Sequence, residues 1–126
     1  MSEQPSRFKE LVNDAKRRIE EVTIEQVRER LDRGDRVQLV DVREESEWLH
    51  GRAAGAVHLS KGVIERDVEK RFPDTDTELI LYCGGGSRSA LAADNLQKMG
   101  YSKVYSLIGG FKTWRDSGLP FDTGPA

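Results

Sequence analysis

The chain has 126 residues, the size of one domain, and its 20 basic and 22 acidic side chains leave a formal charge of -2. That balance lacks the basic excess of a nucleic-acid binder, and no apolar run approaches the roughly 18 residues that a membrane-spanning helix requires. One compact core in a soluble, cytoplasmic protein is expected, with no nucleic-acid or membrane partner.

Phe8, Leu11, Val12, Ala15 and Ile19 recur at helical spacing and predict an amphipathic helix in an N-terminal extension, 1–21, ahead of a main domain over 22–120. This helix is expected to pack on its own domain, although the pattern alone does not separate a core-facing stripe from a partner-facing one. Thr23 followed by Gln26 forms a capping box for a helix through Leu31, and Gly34 suits its C-terminal stop. Residues 37–42 read VQLVDV, short and rich in β-branched side chains, as expected of a strand covered on both faces. Runs of the same type return at 56–59, 78–83 and 103–108. Helical stretches lie between and after them, at 44–49, 61–71, 89–99 and 111–116, and Pro73, Gly100 and Gly118 follow the last three. Strand and helix alternate, which predicts an α/β fold: a doubly wound, mostly parallel sheet with helices on both faces and ligands beyond the carboxyl ends of its strands. The last residues, 121–126, read as a flexible tail.

Cys83 is the only cysteine, so it has no intrachain disulfide partner, and His50 and His58 alone do not make a metal-ligand cluster with it. No cofactor is expected. A free cysteine is often a small buried hydrophobe, and the neighbours of Cys83 must decide against that reading. They run Leu79-Ile80-Leu81-Tyr82-Cys83-Gly84-Gly85-Gly86-Ser87-Arg88-Ser89: a strand, a loop and a helix start. Three glycines give up extra backbone entropy, roughly 0.5–1 kcal/mol each relative to alanine in a regular element, so some demand on the backbone must offset them. Without side chains, Gly84, Gly85 and Gly86 can turn their amides together into an anion-binding nest around the sulfur, and the helix that follows adds free donors and partial positive charge. Arg88 and Ser89 stand at that helix start. The helix dipole repels a guanidinium there unless an anion lies close, and a thiolate or an anionic substrate supplies one. Such surroundings lower a cysteine pKa from about 8.5 into the reactive range. A thiolate ionised by its loop needs no general base, and His50 and His58 are read as packed or surface residues.

These segments resemble the rhodanese family over 22–120. Asp41-Val42-Arg43-Glu44 with Glu47-Trp48, Gly51, Gly55 and Ala56 is similar to the family's first signature. Tyr82 to Ser89 resembles its active-site loop, and Gly109-Gly110-Phe111 with Trp114 resembles its C-terminal signature. The resemblance implies the rhodanese-like form of the fold, with five strands and here an extra N-terminal helix. It also implies a sulfurtransferase: the Cys83 thiolate takes a sulfane sulfur from thiosulfate or a persulfide and yields it to cyanide or a thiol. By the same resemblance Cys83 is catalytic, while Gly84, Gly85, Gly86, Ser87, Arg88 and Ser89 bind the persulfide and the substrate anion. Asp41 and Arg43 brace the loop from behind, with a plain structural ion pair as the alternative. The partners implied are a small anionic sulfur donor and a thiol or cyanide acceptor, with a protein donor or acceptor also open.

Two departures matter. Gly51-Arg52-Ala53-Ala54-Gly55-Ala56 stands where many members read Gly-His-Ile-Pro-Gly-Ala, and no basic residue occupies Gly84 or Gly85, where two-domain thiosulfate enzymes carry a cation. Thiosulfate is therefore expected to be a poor donor. The rival enzyme is a cysteine phosphatase of related fold, but only four residues separate Cys83 from Arg88, one fewer than in those phosphatases, and no leaving-group acid is assignable. Gly84-x-Gly86-x-x-Ser89 approximates a dinucleotide loop but lacks its third glycine and the later acidic residue. A non-catalytic rhodanese-like binding module is the alternative from another class, and retention of the cysteine argues against it.

Overall fold

The computed structural model describes residues 6–125. Helix α1, Arg7–Lys16, starts under a Ser6 cap and is followed by strand β1, Glu20–Val22. The remaining strands of the main sheet are β2 Leu39–Asp41, β4 Val57–His58, β5 Leu79–Tyr82 and β6 Val104–Leu107. Their order is β1-β6-β5-β2-β4, with every neighbouring pair parallel. Helices α2 Ile24–Asp32, α3 Glu45–His50, α4 Ile64–Arg71, α5 Ser87–Lys98 and α6 Gly110–Asp116 occupy the connections. The expected five-stranded α/β sheet is therefore present, with β5 at its centre.

Alternation along β5 shows why both faces must be covered. Leu79, Leu81 and Cys83 join one apolar cluster with Ile64 and Val68 of α4 and Ala92, Ala93 and Leu96 of α5. Ile80 and Tyr82 join a second cluster with Ile24 and Val27 of α2 and Phe111 and Trp114 of α6. Successive strand residues point to opposite faces, so a continuous apolar run is the signature of a strand buried on both.

The Thr23–Gln26 capping box forms in both directions, at 3.1 and 2.8 Å. Other expectations are corrected. α1 ends at Lys16 and leaves Ile19 in the connection; only Val12 and Ala15 are buried, on α5, while Phe8 and Leu11 are 50% and 56% exposed. β1 had no strand signal because two of its three residues are glutamates, which are depleted in strands; it forms as the edge of the sheet, paired to β6. The final residues, read as a tail, contain strand β7, Phe121–Asp122, which pairs antiparallel with β3, Arg52–Ala53. Arg52 also donates to the carbonyl of Gly124 at 2.7 Å, so the chain stays hydrogen-bonded beyond the strand.

Candidate active site

Cys83 follows the carboxyl end of the central strand and is 1% exposed. Its loop turns through Gly86, whose φ of +105° is open to glycine and strained for other residues, and the amide of Gly86 then donates to Cys83 Sγ at 3.0 Å. The hydroxyl of Ser89 lies 3.6 Å from the same sulfur. Burial pushes the Cys83 thiol up, but hydrogen bonds from the amide and hydroxyl of Ser89 and the amides of Gly86 and Gly85 outweigh it and leave the thiol below its ordinary pKa. Apolar walls thus surround a sulfur whose polar neighbours all favour the anion.

The carbonyls of the loop are held from the other side. Phe111 N donates to Cys83 O at 2.8 Å and Lys112 N to Gly84 O at 3.3 Å, so the free amides at the start of α6 take the loop's acceptors. Gly110, with φ +56°, makes this approach possible: a Cβ at that position would run into the backbone of Cys83 and Gly84. The C-terminal Gly-Gly-Phe pattern is therefore part of the loop's support.

Arg88 is where the structure differs most from expectation. Its guanidinium forms a two-pronged pair with Glu47 of α3, at 2.7 and 3.0 Å, and interaction with Cys83 is a lesser influence on it. The pairing with Arg88 holds the Glu47 carboxyl down to about 2. Glu47 had appeared in the sequence only as part of a signature, because nothing local signals a bond across 41 positions. Ser106 was missed as well. It is fully buried on β6, and its hydroxyl lies 2.7 Å from that of Ser89; the available clue was a serine at a core-facing position of an apolar strand.

Asp41 and Arg43 do form the pair seen in the sequence, both buried. Arg43 donates from Nε and Nη2 to the carboxylate at 3.0 and 2.7 Å and from Nη2 to Gly51 O at 2.5 Å. Its guanidinium also stacks 4.5 Å above Phe111. The pair thus reaches Phe111, the residue that supports the loop. Of the histidines, His58 stacks on Trp48 at 5.0 Å and meets Arg43 O at 2.7 Å, and His50 meets Ser46 O at 2.7 Å; the hydrogen bonds of both rings go to backbone carbonyls. Among the described residues no group of three His, Cys, Asp or Glu side chains is placed to hold a metal, and no helix is long and apolar enough to cross a membrane.

Fold and loop together define an α/β domain built around a cysteine in an anion cradle. The chain belongs to the family described as the rhodanese-like domain, whose model matches residues 23–117. It is 39% identical over 88 residues to the thiosulfate sulfurtransferase GlpE of Actinobacillus succinogenes, covering 68% of this chain and 75% of that protein. It is 35% identical over 104 residues to GlpE of Glaesserella parasuis, covering 82% and 94%. Among solved structures, a Rhodopseudomonas palustris protein described as of unknown function and a possible tyrosine phosphatase matches with a TM-score of 0.80 and 30% identity, covering 97% of this chain and 99% of that one. A homodimeric polysulfide-sulfur transferase from Wolinella succinogenes matches at 0.76 and 27%, covering 92% and 87%.

Proposed function

We propose that this protein is a sulfurtransferase that carries sulfur as a persulfide on Cys83. The Cys83 thiolate attacks the sulfane sulfur of a donor; a new S–S bond forms, and the donor's remainder, sulfite in the case of thiosulfate, leaves with the electron pair. An acceptor thiolate or cyanide then attacks the outer sulfur, and the broken S–S bond returns its electron pair to Cys83. The hydrogen bonds of the loop lower the thiol's pKa and favour its anion, which reduces the need for a general base. The amides of Gly85, Gly86 and Ser89 can follow the negative charge onto the outer sulfur, while the α6 amides keep the loop carbonyls turned away. The observation that carries this reading is the set of donors converging on a buried sulfur, which outweighs its desolvation.

Glu47 cancels most of the charge of Arg88, so the mouth of the site offers little net attraction to a dianion. An organic or protein persulfide is accordingly the better donor, and thiosulfate a weak one. A reducing compartment such as the cytoplasm keeps a lone thiol of this kind available.

A phosphatase reading would need a wider cradle and an arginine free to clamp a phosphoryl group; Arg88 is engaged with Glu47, whose carboxyl is held ionised and so is not a proton donor for a leaving group. The deciding experiment is mass spectrometry of the purified protein after incubation with thiosulfate and with glutathione persulfide. The expected result is a gain of one sulfur atom on Cys83 that disappears on reduction and is absent from Cys83→Ser. No adduct from either donor, with an unreactive thiol at neutral pH, identifies a binding module; turnover of an aryl phosphate identifies a phosphatase.

A further inference from the structure

Between α3 and α6 lies a cavity of about 330 Å³ lined by Arg43, Ser46, Glu47, His50, Gly51, Phe111 and Arg115. None of these residues belongs to the cysteine loop, and Phe111 sits in the apolar cluster on the opposite face of the sheet from Cys83. What binds here is therefore judged from the lining of the cavity alone, apart from the sulfur chemistry.

One buried group in that lining has a donor to spare. Arg43 is 6% exposed, and its hydrogen bonds to Asp41 and Gly51 use N, Nε and Nη2, leaving Nη1 without one among the described residues. Buried donors are as a rule hydrogen-bonded. No fully enclosed side-chain nitrogen or oxygen among the described residues lacks a partner, so Nη1 reaches open space, and the cavity that Arg43 lines provides it. Arg115 of α6 adds a second guanidinium. Only its Nε approaches a carboxylate, that of Asp116 at 3.9 Å, which Lys112 also approaches at 3.7 Å; both terminal nitrogens are unspent. The two guanidinium groups share one ring, at 4.5 and 5.9 Å from the centroid of Phe111. The acids beside them are already engaged, Asp41 with Arg43 and Glu47 with Arg88, so Arg43, Arg88 and Arg115 face two carboxylates and one positive charge is left over. The Ser46 hydroxyl makes no hydrogen bond among the described residues, while His50 spends Nδ1 on the carbonyl of Ser46.

We infer that this cavity is an anion site separate from the cysteine loop, and that its ligand is a small organic monocarboxylate with an apolar body. The excess of one positive charge sets the charge of the ligand. The free fork of Arg115 matches the two oxygens of a carboxylate, and Arg43 Nη1 and the Ser46 hydroxyl supply further donors. A simple ion would leave most of the space unfilled, because the volume corresponds to roughly ten waters; the ring of Phe111 walls the remainder and takes the apolar body. This inference goes beyond the sulfur-transfer reading and does not depend on it.

The test uses three probes on the full chain, isotope-labelled for NMR and held at constant ionic strength: benzoate, its neutral counterpart benzamide, and formate. The expected result is saturable benzoate shifts at the amides of Ser46, Gly51 and Phe111 and at the side chain of Arg115, with benzamide and formate each roughly tenfold weaker. Arg115→Gln is expected to weaken benzoate roughly fivefold; Arg115 is 53% exposed, and denaturant unfolding of the variant checks that the fold is intact. Equal affinity for benzamide overturns the anion preference, and equal affinity for formate overturns the organic ligand. Shifts confined to other residues overturn the site. An anion lodged in the nest of the loop would instead shift Gly85 and Gly86 and protect Cys83 from iodoacetamide, whereas saturating benzoate is expected to leave that alkylation running. Protection of Cys83 thus overturns the separate site, and failure of Cys83 to load sulfur from any donor leaves it standing.

Discussion

Two helices in this domain begin in the same manner and do different work. α5 and α6 both start after a glycine in a left-handed conformation, Gly86 at φ +105° and Gly109 at φ +81°, and neither has a side-chain cap. An uncapped helix start leaves backbone donors to be satisfied elsewhere. At α5 the donors are spent on the sulfur of Cys83, together with the Ser89 hydroxyl. At α6 they are spent on the carbonyls of Cys83 and Gly84. One peptide segment thus has its carbonyls drawn to one helix and its sulfur held by the other. The lesson is that a nest needs two sides: amides converge on a ligand only when something else holds the matching carbonyls away.

The most damaging way to break this division is to push the helices apart at α6. Gly110→Ala places a methyl group inside the backbone of Cys83 and Gly84, where no flexible side chain can yield. A loss of roughly 3 kcal/mol or more is expected in denaturant unfolding, with sulfur loading of Cys83 suppressed in the remaining folded protein. Gly86→Ala is the control at α5. Its Cβ would meet only ordinary contacts at 3.6 Å, so the penalty is backbone strain alone, about 1–3 kcal/mol. Equal losses for the two variants would show that the close approach of α6 is not what supports the loop.

The α5 side of the comparison was legible in the sequence and the α6 side was not, for a physical reason. Cys83, the glycines and Ser89 are contiguous, so the hydrogen-bonded geometry of their loop can be read from local rules for nests and helix starts. The Thr23–Gln26 cap is equally local. Support from Phe111, the Arg88–Glu47 pair and the Ser106 contact all join segments far apart in the chain, and composition contains no record of such distances. β1 was hidden for another reason: an edge strand paired on one side tolerates Glu20 and Glu21 where the interior would not.

A smaller perturbation tests the electrostatics at α5 without moving the backbone. Ser106 and Ser89 each have one hydroxyl proton; if Ser106 donates to Ser89, the proton of Ser89 is directed to the sulfur. Ser89→Ala is expected to slow alkylation of Cys83 by iodoacetamide at neutral pH about tenfold, and Ser106→Ala about threefold, through loss of orientation alone. The midpoint of the pH–rate profile should rise in both. The folded thiol ionises at lower pH than the unfolded one, so its contribution to stability is complete above the unfolded pKa and lost as pH falls through the folded pKa. Beyond the pH-independent cost of a lost buried hydroxyl, the variants should therefore lose further stability, relative to the parent, as pH rises through that window. An unchanged profile for Ser106→Ala would remove Ser106 from the chain.

The smallest stability effect is expected from Glu47→Gln, which sharpens the comparison from outside. The pair with Arg88 is about one-third exposed on each side, and such pairs contribute less than about 1 kcal/mol, so unfolding should hardly change. The Glu47 carboxyl titrates at about 2, below its ordinary value, and the pair's contribution is thus present at neutral pH and lost only as pH falls through that point. Function should respond more than stability does. Releasing Arg88 from its counter-charge gives the α5 start a free cation beside the sulfur, so the KM for thiosulfate should fall severalfold at low ionic strength and return toward the parent value in high salt, as exposed charges are screened. A KM that ignores both the substitution and the salt would mean that thiosulfate never meets the guanidinium, and that backbone amides alone select the donor.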